Sequence, residues 1–324
     1  MYKITNNRAD KLEAATFAAI GLQESDIEEL LRQNIDMICD EEESMLIVGK
    51  QVRNVSQGIS DLTAVDNKGN IVLIEIKRDR KDISSRKEPF EFQAIRYAAS
   101  YATIKDQEDL VNKIYAPYID KYSSEFQNTS LTSTELASRK LNDFLSSNNA
   151  EHTFNNGQRI ILAASDYDEQ TLSAIAWLNS NNVDICCFKL IPYNIDEELY
   201  LGIEKLLPLT NYEDYYVNFL DDLTYSFTKK KRVIRRKLPK IDDMLEWGVV
   251  KPGDVILPKG RNEEAILKGN GNVEVNEEEL SMQKWLKGIF DWSSVQTYVF
   301  AIHKESGKSL SQIREEYMKK EENI

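Results

Sequence analysis

In the stretch GISDLTAVDNKGNIVLIEIKRD, residues 58–79, two carboxylates and an ammonium interrupt an apolar pattern. Asp61 precedes the segment DNKGN, which has the composition of a hairpin loop, and Glu75 and Lys77 follow it. Side chains alternate along a strand, so Glu75 and Lys77 share a face with Leu73. A turn centred on Lys68 sets Thr63 opposite Leu73, Asp61 opposite Glu75 and Ile59 opposite Lys77. Like charges opposed in a sheet repel. The run IVLIEIK is apolar enough for burial on both faces, where charge is costly unless paired or coordinated. Positive charge is therefore required. Lys77 supplies one unit and a divalent cation supplies more; hard carboxylate oxygens suit Mg2+ or Mn2+. Such a cation lowers the pKa of a bound water, and a lysine beside it can orient that water or meet charge developing on a phosphate. The plainer alternative is an exposed ribbon in which Lys77 pairs with an acid.

The flanking segments read as the elements that position these residues. ESDIEELLRQNIDMI has apolar residues at helical spacing over 24–38, with Ser25 or Asp26 as N-cap. SMLIVGKQV reads as a strand, and EPFEFQAIRYAASYATI as a helix with Pro89 near its start. A long polar, helical stretch fills 105–150. QRIILAASDY, DEQTLSAIAWLNSN and VDICCFKLIPY then read as strand, helix and strand, a right-handed crossover in a mixed sheet. The fold class is α/β, a mixed sheet flanked by helices, over residues 1–205. An aromatic and basic linker follows over 206–240. A small α+β domain follows over 241–324, its turns marked by Pro252-Gly253 and Gly269-Asn270-Gly271.

The net charge of −13 argues against a broad nucleic-acid surface. Two basic strips run against that trend. One contains Arg78, Arg80, Lys81, Arg86 and Lys87; the other contains Lys230, Lys231, Arg232, Arg235 and Arg236. Either is a solvated charged surface or a local grip on a phosphate backbone. The adjacent Cys186 and Cys187 would point to opposite faces of a strand, which suits neither zinc nor a mutual disulfide; with Cys39 they are expected as reduced, buried thiols. Two histidines exclude a His-rich metal site. No apolar run is long enough to span a bilayer, and the first residues lack an apolar signal core, so a cytoplasmic location is expected.

Asp61, a spacer and Glu75-Ile76-Lys77 on a hairpin resemble the PD-(D/E)xK nuclease superfamily. With ESDIEELLRQNIDMI and LIVGKQV before them and FQAIRYAASY after, the order resembles the NucS-like, RecB-type branch over roughly residues 20–105. RIILAASDYDEQTLSAIAWLNSNNVDICCFKL is similar to the downstream part of such domains. The resemblance implies a restriction-endonuclease-like fold. It implies that Glu28, Asp61 and Glu75 hold the metal and that Lys77 is the catalytic lysine. It also places Gln93 and Tyr97, which match the family's Gln-X-X-X-Tyr on the next helix, beside the active site. Periodicity alone does not separate Glu28 from Glu29. The segment between Lys77 and Gln93 is longer than the family's shortest versions, as a substrate lid or a plain insertion.

Residues 241–315 loosely resemble the restriction enzyme adenine methylase associated domain, which implies association with DNA. Trp285, Trp292, Tyr298 and Phe300 there either stack on bases or, as aromatics at helical spacing more often do, fill a core. The expectation is a Mg2+- or Mn2+-dependent DNA endonuclease, acting as a homodimer in restriction, defence or repair. The alternative is a DNA-binding or scaffolding protein whose nuclease fold no longer cuts.

Overall fold

The computed structural model describes residues 2–55, 58–79, 89–126, 130–208 and 238–321. A small hairpin of β1 (Tyr2–Thr5) and β2 (Arg8–Lys11) precedes the main body. That body is a six-stranded sheet of β3 (Met45–Arg53), β4 (Ile59–Asp66), β5 (Ile71–Lys77), β6 (Gln158–Ala164), β7 (Asp184–Ile195) and β8 (Glu198–Leu207), in that spatial order. The first three strands form an antiparallel meander; β5, β6 and β7 run parallel; β8 returns antiparallel at the edge. Helix α1 (Glu24–Gln33) packs on β4 and β5, and α2 (Phe90–Tyr101) packs on β5 and β6. α3 (Ser133–Ser147) lies in the long β5–β6 connection, and α4 (Glu169–Ser180) makes the β6–β7 crossover. The α/β class and the mixed sheet flanked by helices are as the sequence suggested.

Two helix expectations need correction. The 24–38 segment is not one helix: α1 ends at Gln33, and Ile35–Ile38 is a separate 3-10 turn. The break falls at Asn34, which leaves the helical region with φ at −132° and ψ at 47°; its backbone N–H and its side-chain amide both donate to Leu30 O at 3.0 Å, which closes the last turn. The N-cap is Gln23 rather than Ser25 or Asp26; Asp26 Oδ2 accepts the Gln23 N–H at 2.7 Å, which closes the first turn from inside. Ile27, Leu31, Ile35 and Ile38 nevertheless all enter the core, so the apolar spacing was informative even where its continuity was not.

β5 is buried at every position, as its apolar run requires. Thr63 pairs with Leu73, which bears out the hairpin register. The ladder then stops at Leu62 and Ile74, one step before Asp61 and Glu75. Beyond it, Asp61 Oδ2 accepts the Ile76 N–H at 2.7 Å, so a side chain replaces the backbone partner. On the other side, the β3–β4 register slips between Ile47 and Gly49. Gln51, close to Asp61 across the ladder, holds φ at 56°, a left-handed conformation that a long side chain rarely adopts.

The C-terminal unit has its own antiparallel sheet, formed by β9 (Val255–Pro258), β10 (Ala265–Leu267), β11 (Val273–Val275), β12 (Glu278–Leu280), β13 (Ala301–His303) and β14 (Lys308–Ser309). α5 (Met282–Phe290) and α6 (Leu310–Glu321) accompany it. Trp285, Trp292, Tyr298 and Phe300 are all buried, which fulfils the core reading and removes them as a base-stacking platform. Trp292 meets Phe144 of α3 edge-on at 4.9 Å, so the apolar core continues between the two sheets. Backbone bonds reinforce that seam. Met45 and Ser294 exchange both N–H···O bonds, at 3.1 and 2.9 Å, and Arg314 reaches Glu42 at 2.7 Å. The seam is formed by the start of β3, while Gln51 lies near the same strand's far end. Among the described residues no helix is long and apolar enough to cross a membrane.

Candidate metal centre

Two elements deliver three carboxylates to one place. α1 carries Glu24 and Glu28 one turn apart on one face, and β4 carries Asp61. One oxygen from each lies within 4.8 Å of the other two. Glu28 and Asp61 are buried, 5% and 6% exposed, while Glu24 is partly open to solvent. Glu28 was expected here and Glu24 was not. The structure also separates Glu28 from Glu29: Glu29 turns away to Arg32 and Lys50, whose nitrogens approach it at 2.5 and 2.6 Å. Hydrogen bonds from Arg32 hold the Glu29 carboxyl down to about 2.

Lys77 borders the cluster. Its ammonium lies 3.1 Å from Glu24 and 3.6 Å from Asp61, donates to Ile76 O, and stands over the ring of Phe90 at 5.5 Å. A lysine only 1% exposed needs such company, because an unpaired buried ammonium is strongly disfavoured. Gln51 supplies the other positive edge: its amide donates to Glu28 Oε2 at 2.8 Å and reaches Asp61 Oδ1 at 3.4 Å. These partners do not fully offset the crowding. Burial, then the nearby Asp61 charge, raises the Glu28 pKa above its usual value; Gln51 and Lys50 pull the other way. Glu75 is fully buried on the neighbouring strand and lies outside the group of three carboxylates, a departure from the expected Glu28–Asp61–Glu75 set.

Helix α2 fastens β4 on either side of Asp61. Gln93 Nε2 donates to the Tyr97 hydroxyl at 3.2 Å, and that hydroxyl accepts the Ile59 N–H at 3.2 Å. One turn on, the Tyr101 hydroxyl shares hydrogen bonds with Ser60 and Thr63, both at 2.6 Å. Burial, with a smaller push from the Glu75 and Asp61 charges, raises the Tyr101 hydroxyl to about 12. Gly58 makes this seat possible: a Cβ there would come within 2.5 Å of the Tyr97 ring. Gln93 and Tyr97 thus act one step removed from the carboxylates, through the strand that carries Asp61.

Of the first basic strip, Arg78 is placed. Its backbone N–H reaches Glu24 at 3.3 Å, and its side chain bonds Gln23 and Asp79. It braces the start of α1 against the end of β5. Arg80, Lys81, Arg86 and Lys87 lie outside the described residues, as do Lys230, Lys231, Arg232, Arg235 and Arg236.

The donor set fits a hard divalent cation: three carboxylates from two elements, one of them opening to water. The partial exposure of Glu24 leaves room for the waters that Mg2+ retains. Glu24 had a signal in the sequence, since it precedes Glu28 by one helical turn. Gln51 had none, because nothing in its residue type announces a left-handed backbone. No protein-family model matches the chain, and a search of curated proteins finds no match to it.

Proposed function

We propose that the chain is a Mg2+- or Mn2+-dependent nuclease that hydrolyses phosphodiester bonds in DNA. The observation that carries this reading is the buried Glu24–Glu28–Asp61 cluster with the Lys77 ammonium at its edge. A structural role alone gives a fold little reason to bury like-charged carboxylates together, since the cost recurs in every folded molecule. A bound divalent cation supplies a nucleophile at neutral pH and a counter-charge for the phosphate. The chain's own groups do the rest. Asp61 is held by the Ile76 N–H, so its orientation is preset. Burial and the Asp61 charge raise the Glu28 pKa, so this carboxyl holds its proton more readily than an ordinary glutamate does. Lys77 Nζ balances negative charge beside the cluster and is the group placed to meet charge developing on phosphate oxygens. Tyr97 and Tyr101 keep the Asp61 strand in place.

The test is cleavage by the purified full chain on single-stranded, duplex, branched and adenine-methylated DNA, with and without Mg2+ or Mn2+. Glu28→Gln and Lys77→Ala are assayed beside it. Metal-dependent cutting that disappears in both variants supports the reading. Metal uptake without cleavage of any substrate points instead to a DNA-binding protein of nuclease-like fold.

A further inference from the structure

β5, β6 and β7 run parallel, so their carboxyl ends lie together, and open α/β sheets hold ligands outside such ends. Lys77 closes β5 there. In the ladder it stands beside Ala164 of β6, and Ala164 stands beside Lys189 of β7. Residues in register point to one face of a sheet, so the two lysines flank a single methyl group on the face where Lys77 meets Glu24 and Asp61. Strands about 4.8 Å apart put the two lysine Cα atoms roughly 10 Å from each other. An aromatic pair ties the ends of this row. The Phe90 ring lies 5.5 Å from the Lys77 ammonium and stacks on Tyr167 at 6.3 Å, and the Tyr167 hydroxyl reaches Phe188 O, next to Lys189, at 3.0 Å. The two lysines differ in company. Lys77 is enclosed within the cluster, whereas Lys189 pairs with Asp166 at 3.1 Å, with 31% and 37% of the two side chains open to solvent.

We propose that Lys189 is a substrate-binding residue that holds a phosphate of the DNA backbone near the one that Lys77 faces. The inference rests on the nuclease reading of the metal centre and adds the course of the substrate strand: across the carboxyl ends of β5, β6 and β7, away from α1. A net charge of −13 leaves DNA no broad surface to settle on, so its phosphates must be met by cations set locally. An ion pair this open to water is weak, so a phosphate can take the ammonium from Asp166 at little cost. A lysine delivers a point charge on a flexible stem rather than a fixed fork, which suits a backbone contact that reads no sequence. Asp166 is then a competitor that holds the ammonium at this edge until a phosphate displaces it.

The test is DNA binding by the full chain carrying Glu28→Gln, which keeps cutting out of the assay. Fluorescent single-stranded and duplex DNA are titrated with Mg2+ over a range of salt, and Tm is measured beside them. Adding Lys189→Met should weaken binding roughly tenfold, as loss of one charge-assisted bond does, and lower the slope of log Kd against log salt by about one. Lys189→Arg, which keeps the charge, should bind nearly as the parent does. Asp166→Asn should tighten binding, and should no longer do so once Lys189→Met is present. A pair with a structural role alone predicts instead a similar loss of Tm in Lys189→Met and Asp166→Asn with DNA affinity unchanged. Unchanged affinity and salt slope in Lys189→Met, in a chain that binds DNA, overturn the proposal and leave the nuclease reading standing. A parent chain that binds no DNA overturns both.

Discussion

Replacing Asp61 with asparagine probes the cluster at the residue that joins its two sides. Asparagine keeps the shape and one oxygen to accept the Ile76 N–H, so the strand contact survives. What changes is charge, and two effects follow. Without metal, Glu28 loses the second-largest cause of its raised pKa. A carboxyl whose folded pKa lies above its unfolded value binds more protons in the folded state between the two values. Stability therefore falls as pH rises from the ordinary value of 4.5 through the raised one. The wild-type chain should show that loss, and Asp61→Asn should show less of it. With metal the order reverses. A cation bound only by the folded chain, at 100 times its dissociation constant, stabilises by about 2.7 kcal/mol. At ~2 °C per kcal/mol for a chain of this size, that is a rise of roughly 5 °C in Tm. The rise should grow with pH as Glu28 ionises, and it should nearly vanish in Asp61→Asn. Thermal unfolding with and without Mn2+ across the mildly acidic to neutral range measures both effects. An equal Mn2+-induced shift in the two proteins would refute the assignment of Asp61 as a ligand.

Lys77→Met removes the ammonium that competes with a cation for Glu24 and Asp61. Cleavage should be lost while Mn2+ affinity, measured by calorimetry, stays equal or rises; a weaker affinity contradicts the assigned geometry. Gln51→Gly relieves a left-handed backbone worth about 1 kcal/mol but deletes the amide between Glu28 and Asp61. Unfolding should then show no loss of Tm while Mn2+ affinity drops about tenfold, as expected when the groups orienting metal ligands are removed. At the far end of the sheet, Arg159 and Glu43 form a buried pair at 2.9 Å. Arg159→Met strands the Glu43 charge and should cost about 3–5 kcal/mol in denaturant unfolding, part of which Glu43→Gln in the same chain restores.

What the sequence could and could not convey follows from the reach of each signal. Alternation and apolar runs report burial directly, so β5, its register against β4 and the parallel β6–β7 pair were all readable. The break in the 24–38 helix falls at one asparagine that leaves the helical region and caps the last turn, a local conformation that apolar spacing does not register. The candidate metal-binding set shows the same division. Asp61 and Lys77 were visible as charges in a buried hairpin, and Glu28 through its match to a known pattern. Glu75 was assigned with them because it shares their patch of sheet. Yet the ladder ends before the Asp61–Glu75 pair, and Asp61 bonds the Ile76 backbone while Glu24 comes down from α1. No one-dimensional pattern states which of two acids on facing elements closes the distance.

That choice has a physical reason in the position of α1. Glu24 is the first residue of the helix, and Glu28 lies one turn further along. The unpaired N–H groups and the dipole at a helix N-terminus favour negative charge there, by roughly 0.3–1 kcal/mol per group and more where water is partly excluded. The same end is anchored to β5, since Lys77 and the Arg78 N–H both bond Glu24. Glu24 thus meets donors at its own helix start and from the strand it approaches, where it stands close to Asp61. Glu75 lies within a fully buried strand and has no helix terminus of its own to offset a second charge. The cluster forms where the helix start supplies positive potential, and Gln51 completes it at the cost of a left-handed backbone. A strained residue joined by its side chain to two crowded carboxylates is difficult to explain by packing alone. A cation held by those carboxylates would use both the crowding and the strain.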